Sequence, residues 1–89
     1  MIAVDWPEGY APMWPHDTAR LLGELSDDAR DEDGEPITAH AVDWAIQGAM
    51  EHERDVEGWG GMPDISERIW GAILPNVLAR LGLGEEAIA

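Results

Sequence analysis

Residues 38–54, TAHAVDWAIQGAMEHER, decide the fold. Val42, Ala45, Ile46, Ala49 and Met50 recur at the spacing of one face of an amphipathic helix, and the stem of Glu53 extends that face. Thr38 stands where an N-cap is wanted, its hydroxyl placed to accept from a free backbone N–H of the first turn. His40, Asp43, Gln47, Glu51 and Arg54 make the other face. Trp44 breaks the pattern. At about 100° per residue it points away from the Val42–Ile46–Ala49 stripe. It therefore packs under the neighbouring loop or the N-terminal arm, or it is exposed for a partner.

Towards the N-terminus, a second helix is predicted from Asp17 or Thr18, both good caps, to about Ala29. Leu21, Leu22, Leu25 and Ala29 form its apolar stripe. Asp17, Glu24, Asp28 and Asp31 hold the opposite face, with Asp27 beside them. Gly23 weakens its interior by about 1 kcal/mol relative to Ala. Residues 30–36, RDEDGEP, connect the two helices through the turn residues Gly34 and Pro36. Before them, residues 1–16, MIAVDWPEGYAPMWPH, carry prolines at 7, 12 and 15 and exclude a long helix. Trp6, Ala11 and Trp14, each preceding a proline, are pushed to extended geometry. This irregular arm is expected to lay Trp6, Tyr10, Met13 and Trp14 on the helices, the alternative being an exposed Trp-Pro strip. Weak alternation over Met1–Trp6 allows a short edge strand.

Towards the C-terminus, residues 56–63, VEGWGGMP, break the chain again, with Trp59 either closing the bundle end or facing a partner. Asp64 and Glu67 resemble a capping box, and Ile65, Ile69, Trp70, Ile73 and Leu74 give a third helix. Pro75 is expected to kink or end it, since an interior proline costs about 3 kcal/mol. Asn76–Leu83 then continues as a last helix with Val77, Leu78 and Leu81, closed by Gly82 or Gly84. The wide apolar arc of this half predicts that it is the centre of the core. The expected fold is all-α: one domain over residues 1–89, a small bundle of three helices, or four if Pro75 splits the last, with a Pro/Trp-rich arm.

Eighty-nine residues and 9.8 kDa support a single core. Nineteen Asp and Glu face five Arg and no Lys, a net charge of −14. The five Trp and 45% apolar residues separate the chain from disordered acidic tails. No apolar run suits a membrane span, and the first residues lack the order of a signal peptide, so a cytoplasmic location is expected. Such a charge repels nucleic acid and anionic membranes. It attracts basic surfaces, with steering that weakens in salt. A halophilic host is the competing origin of the acidity, but five Trp and seven Ile fit it poorly; Arg as the sole base also fits a GC-rich genome.

Little in the chain suggests chemistry. Without Cys there are no disulfides, thiolate metal sites or cysteine nucleophiles. Aligning Gly34 with the sixth position of a calcium-binding EF-hand loop puts Asp33 at five and Asp31 at three. Ala29 then falls at one and His40 at twelve, where Asp and a bidentate Glu are needed. His16, His40 and His52 form no paired zinc motif. No Gly-rich phosphate loop is present. The expectation is no catalytic residue, no metal and no cofactor.

The strongest local signal is charge. Glu24, Asp27, Asp28, Asp31, Glu32, Asp33 and Glu35 are seven acids within twelve residues, against Arg30 alone. A solvated loop is the plain interpretation of such a run. The sharper one adds Asp43 and a second acidic run, Glu51, Asp55 and Glu57, around Trp44 and Trp59. Tryptophan is the residue most enriched at interface hot spots, so these thirteen residues form the expected partner-binding set.

In size, charge and lack of catalytic residues the chain resembles small acidic phage-encoded inhibitors, among them anti-restriction proteins, uracil-DNA glycosylase inhibitors and anti-CRISPR proteins. The resemblance rests on length and composition and carries over no site residue. It implies DNA mimicry: a non-enzymatic inhibitor that occludes the basic nucleic-acid-binding surface of a protein or ribonucleoprotein complex. Phosphates recur every ~3.4 Å along one strand, whereas acids one helical turn apart rise by ~5.4 Å. Glu24, Asp28 and Asp31 would imitate a backbone only with charges interleaved from the second helix. The alternative is an acidic adaptor or dimerisation module, docking through Trp44, Trp59 and the arm, with a homodimer as one outcome.

Overall fold

The computed structural model describes residues 6–88. Three α-helices, α1 (Pro15–Glu24), α2 (Ala39–Glu57) and α3 (Glu67–Arg80), are followed by a 3-10 turn at Glu85–Ala87. Helix accounts for 55% of these residues, and no strand forms among them beyond two isolated bridges. The fold is all-α. The strand allowed for Met1–Trp6 lies almost wholly outside the described residues.

Helix α2 starts as its sequence dictates, the Thr38 hydroxyl accepting from the Ala41 N–H at 3.4 Å. It ends three residues beyond Arg54, where Gly58 takes φ +73° and returns its N–H to the Arg54 carbonyl at 2.8 Å. That left-handed cap favours glycine. Val42, Ile46, Ala49 and Met50 are fully enclosed, each large side chain stabilising by about 1.5–3 kcal/mol relative to exposure. Helix α2 packs on both α1 and α3, and the C-terminal half supplies Ile69, Trp70, Ile73, Val77, Leu78 and Leu81 to the same core.

Helix α1 departs from expectation at both ends. It begins at Pro15, a residue preorganised for the first helical position. It stops at Glu24 because Leu25 is extended (φ −69°, ψ 144°) and bridges Ile88. The Ser26 N–H donates to the Ala87 carbonyl at 2.7 Å. Backbone from the far end of the chain thus takes over where the predicted helix would have continued to Ala29. Asp28 and Asp31 consequently leave the helical face on which they were placed with Glu24.

Helix α3 is capped by Ser66, whose hydroxyl accepts from the Ile69 N–H at 3.2 Å, so the Asp64–Glu67 box and Ile65 lie at or before its start. It runs unbroken through Pro75 to Arg80. Proline removes the bond to the carbonyl four residues back, that of Gly71, and both residues are exposed. Water can satisfy that carbonyl on the exposed face of the helix. Gly82, at φ +75°, turns the chain after Arg80.

A clasp joins α1 to α3. Arg20 donates from Nη1 and Nη2 to the two carboxylate oxygens of Glu67 at 2.8 and 3.1 Å, and from Nε to Glu24 at 3.4 Å. Its guanidinium carbon lies 4.9 Å from the centre of the Trp70 ring. The fork geometry of Arg suits both jobs at once. The hydrogen bonds and charge of Arg20 hold Glu67 below the usual carboxylate range.

Candidate interaction surface

The acidic loop is a small, self-supporting turn. Bridges at Leu25–Ile88 and Arg30–Pro36 define its ends. Within it, Asp31 Oδ1 accepts from the N–H groups of Asp33 and Glu35, both at 2.9 Å, while the Asp31 N–H donates to the Glu35 carbonyl at 2.9 Å. Gly34, at φ +81°, closes the turn. Asp residues favour such turns because a short carboxylate reaches the backbone two residues on. Arg30 is hydrogen-bonded within the loop backbone, its Nη1 donating to the carbonyls of Asp27 and Ala29 at 3.0 and 2.8 Å, and forms no ion pair with a described carboxylate.

The seven acids of the tract therefore divide. Glu24 is half-buried and paired with Arg20, and Asp31 is half-buried and builds the turn. Asp27, Asp28, Glu32, Asp33 and Glu35 are exposed. The Glu32 stem lies against Gly82, where an added Cβ would come within 2.7 Å of its Cγ. The same folding brings in Glu86, which is exposed. Glu86 lines one shallow depression with Asp28, Arg30 and Gly84. Glu86 is not legible as part of the site in the sequence; the one trace is the apolar spacing of Leu83, Ala87 and Ile88 around it.

Along α2 the exposed face carries His40, Trp44, Glu51 and Asp55, with Glu57 also exposed at the helix end. Of the fates open to Trp44, exposure is the one found: 64% of it is accessible. Trp59 is half-buried against the core, with its N–H bonded to the Arg54 carbonyl at 3.0 Å. It lines a groove of about 490 Å³ with Gly60, Gly61, Met62, Pro63 and Arg68.

Asp43 is a correction. Expected among the partner-facing acids, it is 1% exposed. The N-terminal arm crosses its edge of α2 and covers it. The Tyr10 hydroxyl donates to Oδ2 at 2.6 Å, and the Trp14 N–H to Oδ1 at 2.7 Å. The Met13 N–H reaches both oxygens, at 3.1 and 3.3 Å. A buried carboxylate needs such donors to replace water. Two of them immediately precede α1, and the Trp14 N–H is one of the donors that a helix start leaves without an internal partner. Burial, then the hydrogen bond and charge of Asp43, push the Tyr10 phenol up to about 12. Trp6 stacks on Tyr10 at 5.6 Å and Trp14 packs on the core, whereas Met13 stays 52% exposed.

No group of three or more His, Asp or Glu side chains is arranged for a metal ion among the described residues. No helix there is long and apolar enough to cross a membrane. Among the described residues the arrangement offers exposed carboxylates and one exposed indole. Comparison with protein-family models, with curated proteins and with solved structures finds no match for this chain.

Proposed function

We propose that the protein is a non-enzymatic inhibitor that binds and occludes the basic, nucleic-acid-binding surface of a target protein or ribonucleoprotein complex. One observation carries this reading. Asp27, Asp28, Glu32, Asp33 and Glu35 are exposed within nine residues of chain, Glu86 lies beside Asp28, and Arg30, bonded to backbone carbonyls, is the single opposing charge in the tract. A −14 domain steers towards a cationic cleft, and carboxylates held on a hydrogen-bonded loop displace water and counterions there as phosphates would. Mimicry on this reading is of a charged patch, since the loop does not give the helical spacing of Glu24, Asp28 and Asp31. The adaptor reading draws on the exposure of Trp44; Trp59 packs on the core, and the arm is held by Asp43.

The test is competition. Proteins captured on the immobilised full chain are expected to be nucleic-acid-binding, to elute as salt rises, and to be released by excess duplex DNA. Replacing Asp28, Asp33 and Glu35 by Lys, which spares the turn-building Asp31, abolishes capture on this reading. Capture that survives both DNA competition and the triple variant overturns it.

A further inference from the structure

In a chain of net charge −14, the groove beside Trp59 is lined by a single charged side chain, and that side chain is a cation. Trp59, Met62, Pro63 and Ile69 give the groove an apolar lining, which Arg68 joins and no Asp or Glu does. The acids nearest Arg68 in the chain are engaged on the side of α1. Glu67 is held by the Arg20 guanidinium at 2.8 and 3.1 Å. Burial, and after it the charge of Asp64, raise the Asp17 carboxyl, so Asp64 lies within electrostatic reach of α1. Arg68 is exposed and forms no ion pair with a described carboxylate. The loop backbone beside it is accessible too. An added Cβ at Gly60 or Gly61 would meet nothing within 4 Å, and no described residue accepts from the N–H groups of Gly60, Gly61 and Met62.

We infer that this groove takes the C-terminal residue of a partner polypeptide, an apolar side chain lying on Trp59 and Met62 while the terminal carboxylate pairs with Arg68. A guanidinium matches a carboxylate through two parallel donors. The free N–H groups of the loop add to it, as in other captures of a chain terminus by backbone donors. An internal apolar segment would leave Arg68 unused, and a basic one would meet it with the wrong sign. Being an open groove rather than an enclosed cavity, it suits a chain end that continues into solvent. At about 0.15 M salt, charges beyond about 8 Å are largely screened, so the lining of the groove outweighs the acidity of the whole chain. The inference goes beyond the occlusion of a basic surface and does not depend on it.

The experiment titrates the isotope-labelled full chain with the acetylated tetrapeptide Gly-Gly-Gly-Leu, once with a free carboxyl terminus and once amidated, at about 0.15 M salt. The five indole N–H resonances serve as reporters. With the free acid, the Trp59 resonance is expected to move furthest. Amidation should weaken binding about threefold to fivefold, the size expected of an exposed ion pair. Arg68→Gln, at an exposed position, should abolish the difference between the two peptides, and Arg68→Lys should keep part of it. Met62→Ser should weaken both peptides alike. If the parent binds the amide as it binds the acid, if the difference survives Arg68→Gln, or if Trp59 does not respond, the inference is overturned. Isocaproate, which carries the same carboxylate and branched alkyl group without the peptide, is the last arm; binding as tight as that of the tetrapeptide would make this a small-acid site and overturn the assignment to a chain end. None of these outcomes touches the acidic-surface reading, which stands or falls on the Asp28, Asp33 and Glu35 variant.

Discussion

Asp43 and Asp28 carry the same carboxylate in two regions with opposite demands. At the junction of the arm with α2, Asp43 is enclosed and surrounded by a hydroxyl and two backbone N–H donors. At the acidic end, Asp28 and its neighbours Asp27, Asp33 and Glu35 face solvent. Charge at the first place holds the arm and the first turn of α1 to the body of the molecule. At the second it contributes little to the fold and adds repulsion. Asp31 stands between these extremes, its carboxylate used inside the loop it belongs to. In so acidic a chain, burial and donors separate structural carboxylates from those available to a partner.

The sharpest way to break this contrast is Asp43→Ala. It strands the Tyr10 hydroxyl and the Met13 and Trp14 N–H groups, and should cost about 3 kcal/mol in urea unfolding. Asp43→Asn, keeping one acceptor oxygen, should cost less. An Asp43→Ala variant as stable as the parent would make the junction dispensable.

Tyr10→Phe removes one bond to the buried carboxylate and should cost about 1.5 kcal/mol. It also changes the alkaline limb of stability. The folded-state value of about 12 lies above the ordinary 10.0. The contribution of the phenol is therefore complete below pH 10 and is lost as pH rises towards 12. Unfolding followed across that range, with phenolate absorbance as the readout, should show the loss in the parent and not in Tyr10→Phe.

Arg20→Ala tests the clasp, where the stacked contact with Trp70 is worth about 0.5–1 kcal/mol. Glu67 is held below its ordinary 4.5. Its share of stability is thus present above that pH and is lost as pH falls through the lowered value. The gap between parent and Arg20→Ala should narrow in acid. A gap constant down to the acid transition would remove Glu67 from the account.

The smallest effect on folding belongs to Asp28, Asp33 and Glu35 changed together to Lys. Each exposed change should shift stability by no more than about 0.5 kcal/mol, with any net change favourable through relief of repulsion. Unfolding of this variant at low salt completes the comparison: marked destabilisation would mean that these acids, like Asp43, serve the fold.

Sequence by itself determined α2, because a 3.6-residue apolar period and a Thr cap are local and need no partner to be recognised. It also determined the charge, the turn at Gly34 and the all-α class. Tertiary structure alone decided where α1 ends, since Leu25 and Ser26 bond to Ile88 and Ala87 more than sixty positions away. It decided the burial of Asp43 by laying the arm across an edge of α2 that reads as polar. It also decided the 64% exposure of Trp44 and the placing of Glu86 beside Asp28. These outcomes depend on hydrogen bonds and packing between segments far apart in the chain, and such contacts leave no fixed spacing in the sequence.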